Sequence, residues 1–197
     1  MVGKCEEAMM EEDARTYKVF LAGELVDLCI PSELAIERDG WADWFNNIKR
    51  LGNTGHGIFP NYEATQREIL AGLRQNERLV LLICNKENGR AFGVISLQDI
   101  DFVRRQAEIA MNIGNPSLNP LPRYASVEAM ALITQHGFET MGLERIHAGQ
   151  AYPSLKSWNR ALELIGYRTE GLTRGTFRRG HEQSDTVLGF GLIRATM

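Results

Sequence analysis

Cysteine is scarce in this sequence. Cys5, Cys29 and Cys84 are the three present, an odd number at wide spacing. No C-x-x-C pair occurs and no Cys/His cluster has zinc spacing. That argues against a disulfide framework and a structural zinc site, leaves no metal expected, and reads as reduced thiols in a cytoplasmic protein. Long apolar runs are missing as well, since none approaches the roughly 20 residues of a membrane-spanning helix. The opening MVGKCEEAMMEEDAR is acidic and lacks the apolar stretch of a secretory signal. Residues 1–16 therefore read as a tail ahead of one domain, 17–197. Neither sign of charge dominates: 22 Lys and Arg against 25 Asp and Glu leave a net charge of −3, which speaks against a nucleic-acid partner. No repeat, low-complexity block or Pro/Ser-rich linker divides the 197 residues, a length that one full core can serve.

What is present is a mixed alternation of strand and helix patterns. YKVFLAGELVDLCI (17–30) reads as one or two short strands around Gly23. Trp41, Trp44, Phe45, Ile48 and Leu51 recur at helical spacing, which predicts an amphipathic helix. LGNTGHGIFPN (51–61) is a Gly-rich loop, and a second helix is expected from Tyr62 to Gln75. RLVLLICN (78–85), AFGVISLQDIDFV (91–103) and QAEIAMNI (106–113) read as three strands of an antiparallel meander, with Asn88-Gly89 at the first turn and Arg104-Arg105 at the second.

The period then lengthens to about 3.6. Val127, Met130, Ala131, Thr134, Phe138 and Met141 share a helical face, and Gly142 stands where a terminating glycine is expected. RIHAGQAY (145–152) is the next strand. A strand, a helix and a strand with short joins make a crossover, so 106–113 and 145–152 should run parallel. Leu155, Trp158, Ala161, Leu162 and Ile165 mark a further helix ended by Gly166, and Tyr167 to Ile193 suggests a last hairpin turning near Gly180. The class is mixed α/β, not doubly wound.

In open α/β sheets a ligand sits beyond the carboxyl end of a parallel strand. That directs attention to IGNPSLNPLPRYASVEAMALI (113–133), a proline-broken loop running into a helix near Ser126. A helix start presents unpaired N–H groups and partial positive charge, and Arg123 adds a full one, so a pyrophosphate fits. The same residues also describe an ordinary loop with a solvated arginine.

Five strings carry a resemblance: AEIAMNIG (107–114), RYASVEAM (123–130), HGFETMGLERIHAGQ (136–150), ALELIGYRTEGLTRGTFRRG (161–180) and DTVLGFGLI (185–193). In order and spacing the chain resembles the GNAT superfamily of acyl-CoA-dependent N-acetyltransferases, most closely the branch of ribosomal-protein N-terminal acetyltransferases. The resemblance spans roughly residues 17–193. It implies one domain with a central, mostly antiparallel twisted sheet, a splayed parallel strand pair, and about four flanking helices.

It also implies a chemistry. Acetyl-CoA would lie in the splay as co-substrate, its pantetheine arm paired with backbone groups of Met111, Asn112 and Ile113. Arg123, Tyr124, Ala125 and Ser126 would take the pyrophosphate, and Asn159 would contact the cofactor. A small-molecule or peptide amine would attack directly, with Glu108 as base through a water and Tyr152, Ser157 or water protonating the leaving thiolate. Trp41, Trp44 and Phe59 would wall the acceptor side, and His56 would serve there as a base or substrate contact. Asp99 and Asp101 would attract a cationic amine. Each has a plainer equivalent: an ion-paired strand carboxylate, a loop histidine, core tryptophans, exposed acids. His136 reads as a helix-surface residue, His147 as a strand packing residue and His181 as solvated. A homodimer through the edge of the last hairpin is an expectation by analogy alone.

The chain departs from that family at two places. Its phosphate loop usually reads Arg/Gln-x-x-Gly-x-Gly/Ala, and here Pro120 and Arg123 stand at the first residue and the first glycine. Leu155 and Leu162 stand where relatives carry Asn and a thiolate-protonating Tyr. These departures keep open an alternative, a degenerate GNAT domain that binds acyl-CoA or a protein partner without catalysis.

Overall fold

The computed structural model describes residues 17–46, 59–73, 78–114, 122–152, 156–179 and 182–194. Eight strands make one sheet: β1 (Val19–Ala22), β2 (Val26–Cys29), β3 (Leu79–Asn85), β4 (Ala91–Asp101), β5 (Gln106–Ile113), β6 (Arg145–Tyr152), β7 (Arg168–Arg179) and β8 (Glu182–Ile193). Their order is β1-β2-β3-β4-β5-β6-β8-β7. Every neighbouring pair is antiparallel except β5 and β6, the pair that the strand–helix–strand pattern predicts to be parallel. Four α-helices flank the sheet among the described residues: α1 (Glu33–Glu37), α2 (Glu63–Gly72), α3 (Ala125–Glu139) and α4 (Lys156–Leu164).

The two faces of the sheet carry separate apolar clusters, as strand alternation dictates. On one face, Leu81, Ile83, Ile95, Leu97, Ala107 and Ile109 pack with Met130 and Ile133 of α3 and Leu162 of α4. On the other, Val80, Leu82 and Val94 pack with Ile36 of α1, Trp41 and Trp44. β3 is buried on both faces, which is why LVLLICN is a continuous apolar run. Full burial of Met130 and Ile133 stabilises the α3 docking by about 1.5–3 kcal/mol each.

Two glycines act at helix ends as expected. Gly142 takes φ +71° after α3, and Gly166 takes φ +102° after α4, a region costly for side chains with a Cβ.

The structure corrects four expectations. The helix expected from Trp41 is a single 3-10 turn, Asp43–Phe45, in its described part; residues 47–51 lie outside the described residues. One 3-10 turn also places residues three apart on one side, so the spacing alone misled. A helix unforeseen from sequence, α1, precedes it. The inward face of α3 is Ala125, Ala129, Met130, Ile133, Thr134 and Gly137, while Ala131 is exposed. Asp99 and Asp101 do not form an acceptor-facing pair. Asp99 sits at φ +51° where the β4–β5 register shifts. Asp101 accepts the Val103 and Arg104 N–H groups at 2.9 and 2.8 Å, fixing the turn into β5.

Candidate functional site

β5 and β6 are paired at three positions only: Gln106 with Arg145, Ala107 with Ile146, and Glu108 with His147. Beyond that step β5 stays paired with β4 as far as Ile113, and β6 stays paired with β8 as far as Tyr152. A gap therefore opens inside the sheet. The Gly114 N–H donates to the Phe92 carbonyl at 2.6 Å, so the even-numbered residues of β5 direct their backbone groups to β4. By alternation the N–H and C=O groups of Ile109, Met111 and Ile113 face the gap. Of the three residues expected to pair with a pantetheine arm, Met111 and Ile113 present their backbones there. Asn112 presents its backbone to β4 and its side-chain amide to the Trp44 carbonyl, 3.2 Å away.

α3 begins at Ala125, after a loop whose residues 115–121, Pro120 among them, lie outside the described residues. Tyr124 precedes the helix at φ +70°, an uncommon conformation for a side chain of its size. No side chain caps this end. The Ala125 N–H reaches the Pro122 carbonyl at 3.1 Å, and the Glu128 N–H reaches Tyr124 at 3.0 Å. The Ser126 and Val127 N–H groups are left as the usual first-turn orphans among the described residues. Arg123 is exposed, with its guanidinium 4.9 Å from the Tyr124 ring centre.

The first-turn Glu128 turns away from its own helix end. Its carboxylate accepts the backbone N–H groups of Glu24, Leu25 and Val26 at 2.6, 2.8 and 2.8 Å. It thereby ties the β1–β2 turn to the start of α3.

On the opposite face of the sheet a cavity of about 180 Å3 lies against β5. Its floor is Val80, Val94, Ser96, Gln98, Ala110 and Asn112, and its walls include Trp41, Phe45, Gln66 and Arg78. Trp41 Nε1 and Gln66 Oε1 are buried with no hydrogen-bond partner. An unmade bond of this kind costs about 1–3 kcal/mol. Met111 borders the cavity too, which links it to the strand that edges the gap.

Glu108 is half-buried on the same face as Gln98 and Ala110. Among the described residues its contact is the Gln98 amide at 3.5 Å, the outer limit of a hydrogen bond, which leaves the carboxylate free to accept another. Its register partner His147 shares that face, and His147 Nδ1 is buried without a partner.

The wall carrying Trp41 and Phe45 is held by Asp39. Its buried carboxylate pairs with Arg38 at 3.1 Å and with Arg90. It also accepts from the Tyr17 hydroxyl at 2.7 Å and the Ala91 N–H at 3.0 Å. Burial by itself would raise its pKa. The bonds from Arg38, Tyr17 and Ala91, with the Arg38 charge, outweigh burial and hold the carboxyl below its usual range. Burial, and then the Asp39 carboxylate, push the Tyr17 phenol up.

The other sequence-predicted residues divide clearly. Trp44 is buried but does not line the cavity; its Nε1 donates to the Asp39 carbonyl at 3.0 Å, and its ring packs over Gly114. Phe59 is 82% exposed and apart from the cavity lining. His56 lies outside the described residues, as does His181. Tyr152 ends β6, backbone-paired with Thr186, its side chain outside what is described. Ser157 is exposed in the first turn of α4. Asn159 Oδ1 is buried and has no hydrogen-bond partner. Leu162, at the aligned tyrosine position, is fully buried in the core. Gln66, Arg78 and Glu128 are additions to the sequence reading. A polar Gln on the inner side of α2 is the one signal that was open to it.

No family model matches the chain, and no curated protein matches it. Solved structures do. The spermidine N-acetyltransferase from Vibrio cholerae in complex with CoA and spermine matches at 14% identity and TM-score 0.74, over 87% of this chain and 96% of that one. RimL, a ribosomal L7/L12 alpha-N-protein acetyltransferase in complex with coenzyme A, matches at 12% and TM-score 0.75, over 89% and 98%. A GNAT-family acetyltransferase from Bacillus anthracis matches at 18% and TM-score 0.71, over 88% and 98%. The chain has the fold of the GNAT-family acetyltransferases.

Proposed function

We propose that the chain is an acetyl-CoA-dependent N-acetyltransferase acting on a primary amine, either a protein N-terminus or a small molecule such as an amino sugar. One observation carries the reading: β5 and β6 part after Glu108 and His147, and the backbone groups of Met111 face the gap between them. The similarity in fold to acetyltransferases solved with CoA supports it.

The residues present fit acetyl-CoA. The β5 backbone at Met111 offers a strand-like edge for an extended amide-containing arm. Ser126 and Val127 N–H groups and the Arg123 guanidinium suit a pyrophosphate. Asn159 Oδ1 would accept a hydrogen bond from the cofactor. Bound acetyl-CoA supplies an activated thioester. In the net reaction a C–N bond replaces the C–S bond, the amine loses a proton and the CoA sulfur gains one. Glu108 takes the amine proton through a water, and Ser157, Tyr152 or water returns one to the sulfur. Holding the reactants side by side supplies much of the acceleration. The buried Cys29 and Cys84 take no part.

A second reading, a domain that binds acyl-CoA or a protein partner without turnover, is favoured by two observations. Leu162 fills the position of the proton-donating tyrosine, and Tyr124 carries the positive φ at the altered loop. Thiol release from acetyl-CoA across a panel of primary amines decides between them. Amine-dependent release supports transfer; acetyl-CoA binding with no release from any amine supports the second reading.

A further inference from the structure

We propose that His147 acts through Glu108 as the exit for the proton that the acceptor sheds, taking it from the Glu108 carboxyl and passing it to solvent on the side away from the cavity. The inference rests on the acetyl-transfer reading.

At neutral pH a primary amine reaches the site largely as an ammonium ion. Transfer then consumes the ammonium and acetyl-CoA and yields the N-acetyl product, the free thiol and one proton. The ammonium gives up two protons in all. One ends on the CoA sulfur, and the other must reach solvent before Glu108 can serve again.

Register fixes what flanks Glu108. Its partner on β4 is Gln98, which lines the cavity, and its partner on β6 is His147. Paired residues of neighbouring strands share a face, and the strands lie about 4.8 Å apart. Gln98 is a neutral amide and holds no further proton, whereas an imidazole does. His147 is also partly exposed, so its ring stands between the carboxylate and water. An acceptor seated over Gln98 covers Glu108 from the β4 side and leaves the β6 side open.

The far side of His147 is arranged for a passing positive charge. Its partner on β8 is Gly191. A Cβ there would collide with the Glu170 carboxylate and the Arg145 guanidinium. The missing side chain lets Glu170 reach over β8 from β7, where it pairs with Arg145. Arg145, by hydrogen bond and charge, outweighs burial and holds the Glu170 carboxyl below its usual range. The His147 charge adds to that effect, which places the ring within electrostatic reach of Glu170. Among the described residues the charged groups on this face around His147 are Glu108 on β5, Arg145 on β6, and Arg168 and Glu170 on β7. A carboxylate on either side favours the imidazolium formed in transit. Its loss of a proton to water leaves His147 neutral and Glu108 ionised, as both began.

The test uses the full chain. Thiol release from acetyl-CoA is followed with alaninamide, spermidine and glucosamine, and the fastest acceptor is kept. In weak buffer, His147→Ala should lower kcat by about tenfold or more with KM for acetyl-CoA unchanged. Added imidazole should restore the rate and saturate, while the wild-type rate stays indifferent to it. A second readout needs no turnover. In ¹H–¹³C spectra the His147 ring peak, assigned by its loss in His147→Gln, should titrate with a midpoint that moves to lower pH in Glu108→Gln and in Glu170→Gln, since each removes a carboxylate that favours the imidazolium. A midpoint unmoved by Glu108→Gln overturns the proposal and leaves acetyl transfer standing. So does a His147→Ala rate equal to wild type, or one that no imidazole concentration restores. No thiol release from the wild-type chain with any of the amines overturns both.

Discussion

Glu108 and His147 are opposite each other in the last paired step between β5 and β6, and past them the two strands share no partner. The carboxylate therefore stands at the vertex of the gap, on the sheet face that also floors the cavity. In the proposed reaction Glu108 would take the proton of an amine held on that face without crossing the sheet.

Glu108→Gln keeps the shape and the Gln98 contact while removing the basic oxygen. Turnover should fall by about 100-fold or more, the usual worth of a positioned base, with acetyl-CoA affinity unchanged. Steady-state rates across pH, set beside calorimetric titration of acetyl-CoA, check it. Equal loss of rate and affinity would instead give Glu108 a binding role.

Glu128 joins segments more than 100 positions apart by three N–H bonds to one carboxylate. Hydrogen bonds to a charged group contribute roughly 1.5–3 kcal/mol, and solvent at Glu24 and Leu25 reduces their share here. Glu128→Ala should cost about 2–3 kcal/mol in urea unfolding. Glu128→Gln, which retains one acceptor oxygen, should cost less.

Much of the topology was legible because it lives in local patterns. The period-two runs at 79–85, 91–101 and 106–113, the switch to a 3.6 period after Ser126, and the glycines at 142 and 166 each carry their own signal. Other features were hidden for physical reasons. Five residues of α1 are too few to show a period. Ala129 and Gly137 face inward because small residues permit close helix–sheet contact, and an apolar count overlooks them. Glu128 and Gln66 owe their roles to distant partners or to a missing one, which no local spacing encodes. At the site, the sequence pointed to the strand and the helix start. It could not separate Trp41, which lines the cavity, from Trp44, which does not.

Gly137 offers a test of that close contact. In a helix, alanine normally gains up to about 1 kcal/mol over glycine. Here an added Cβ would lie 2.9 Å from Ile146 Cδ1 and 3.1 Å from Leu97 Cδ1. Overpacking of this kind costs about 1–3 kcal/mol, so Gly137→Ala should be net destabilising. Gly72→Ala, with nothing within 4 Å, should be neutral or stabilising. Melting curves should show a lower Tm for Gly137→Ala and an unchanged or higher one for Gly72→Ala.

Asp39 makes the wall of the cavity sensitive to acid. Its folded pKa lies below the unfolded value, so its contribution is complete above the unfolded carboxylate range near about 3.9. That contribution is lost as pH falls through the lower folded value. Asp39→Asn should destabilise at neutral pH, since Arg38 and Arg90 lose their counter-charge. It should also flatten the acid limb of the stability profile below about pH 4. An unchanged acid limb would assign that limb to other carboxylates.

The most direct test of the gap as an acyl-CoA site is thermal unfolding with and without acetyl-CoA. At about 100 times the dissociation constant, binding to the native state adds about 2.7 kcal/mol, which for this length is a rise of roughly 5–10 °C. The account predicts that rise for the wild-type chain. It predicts a smaller one at equal ligand for Arg123→Glu, whose charge reversal at the start of α3 should weaken binding by roughly tenfold. No rise at any acetyl-CoA concentration would contradict it, because the opening between β5 and β6 would then hold no donor.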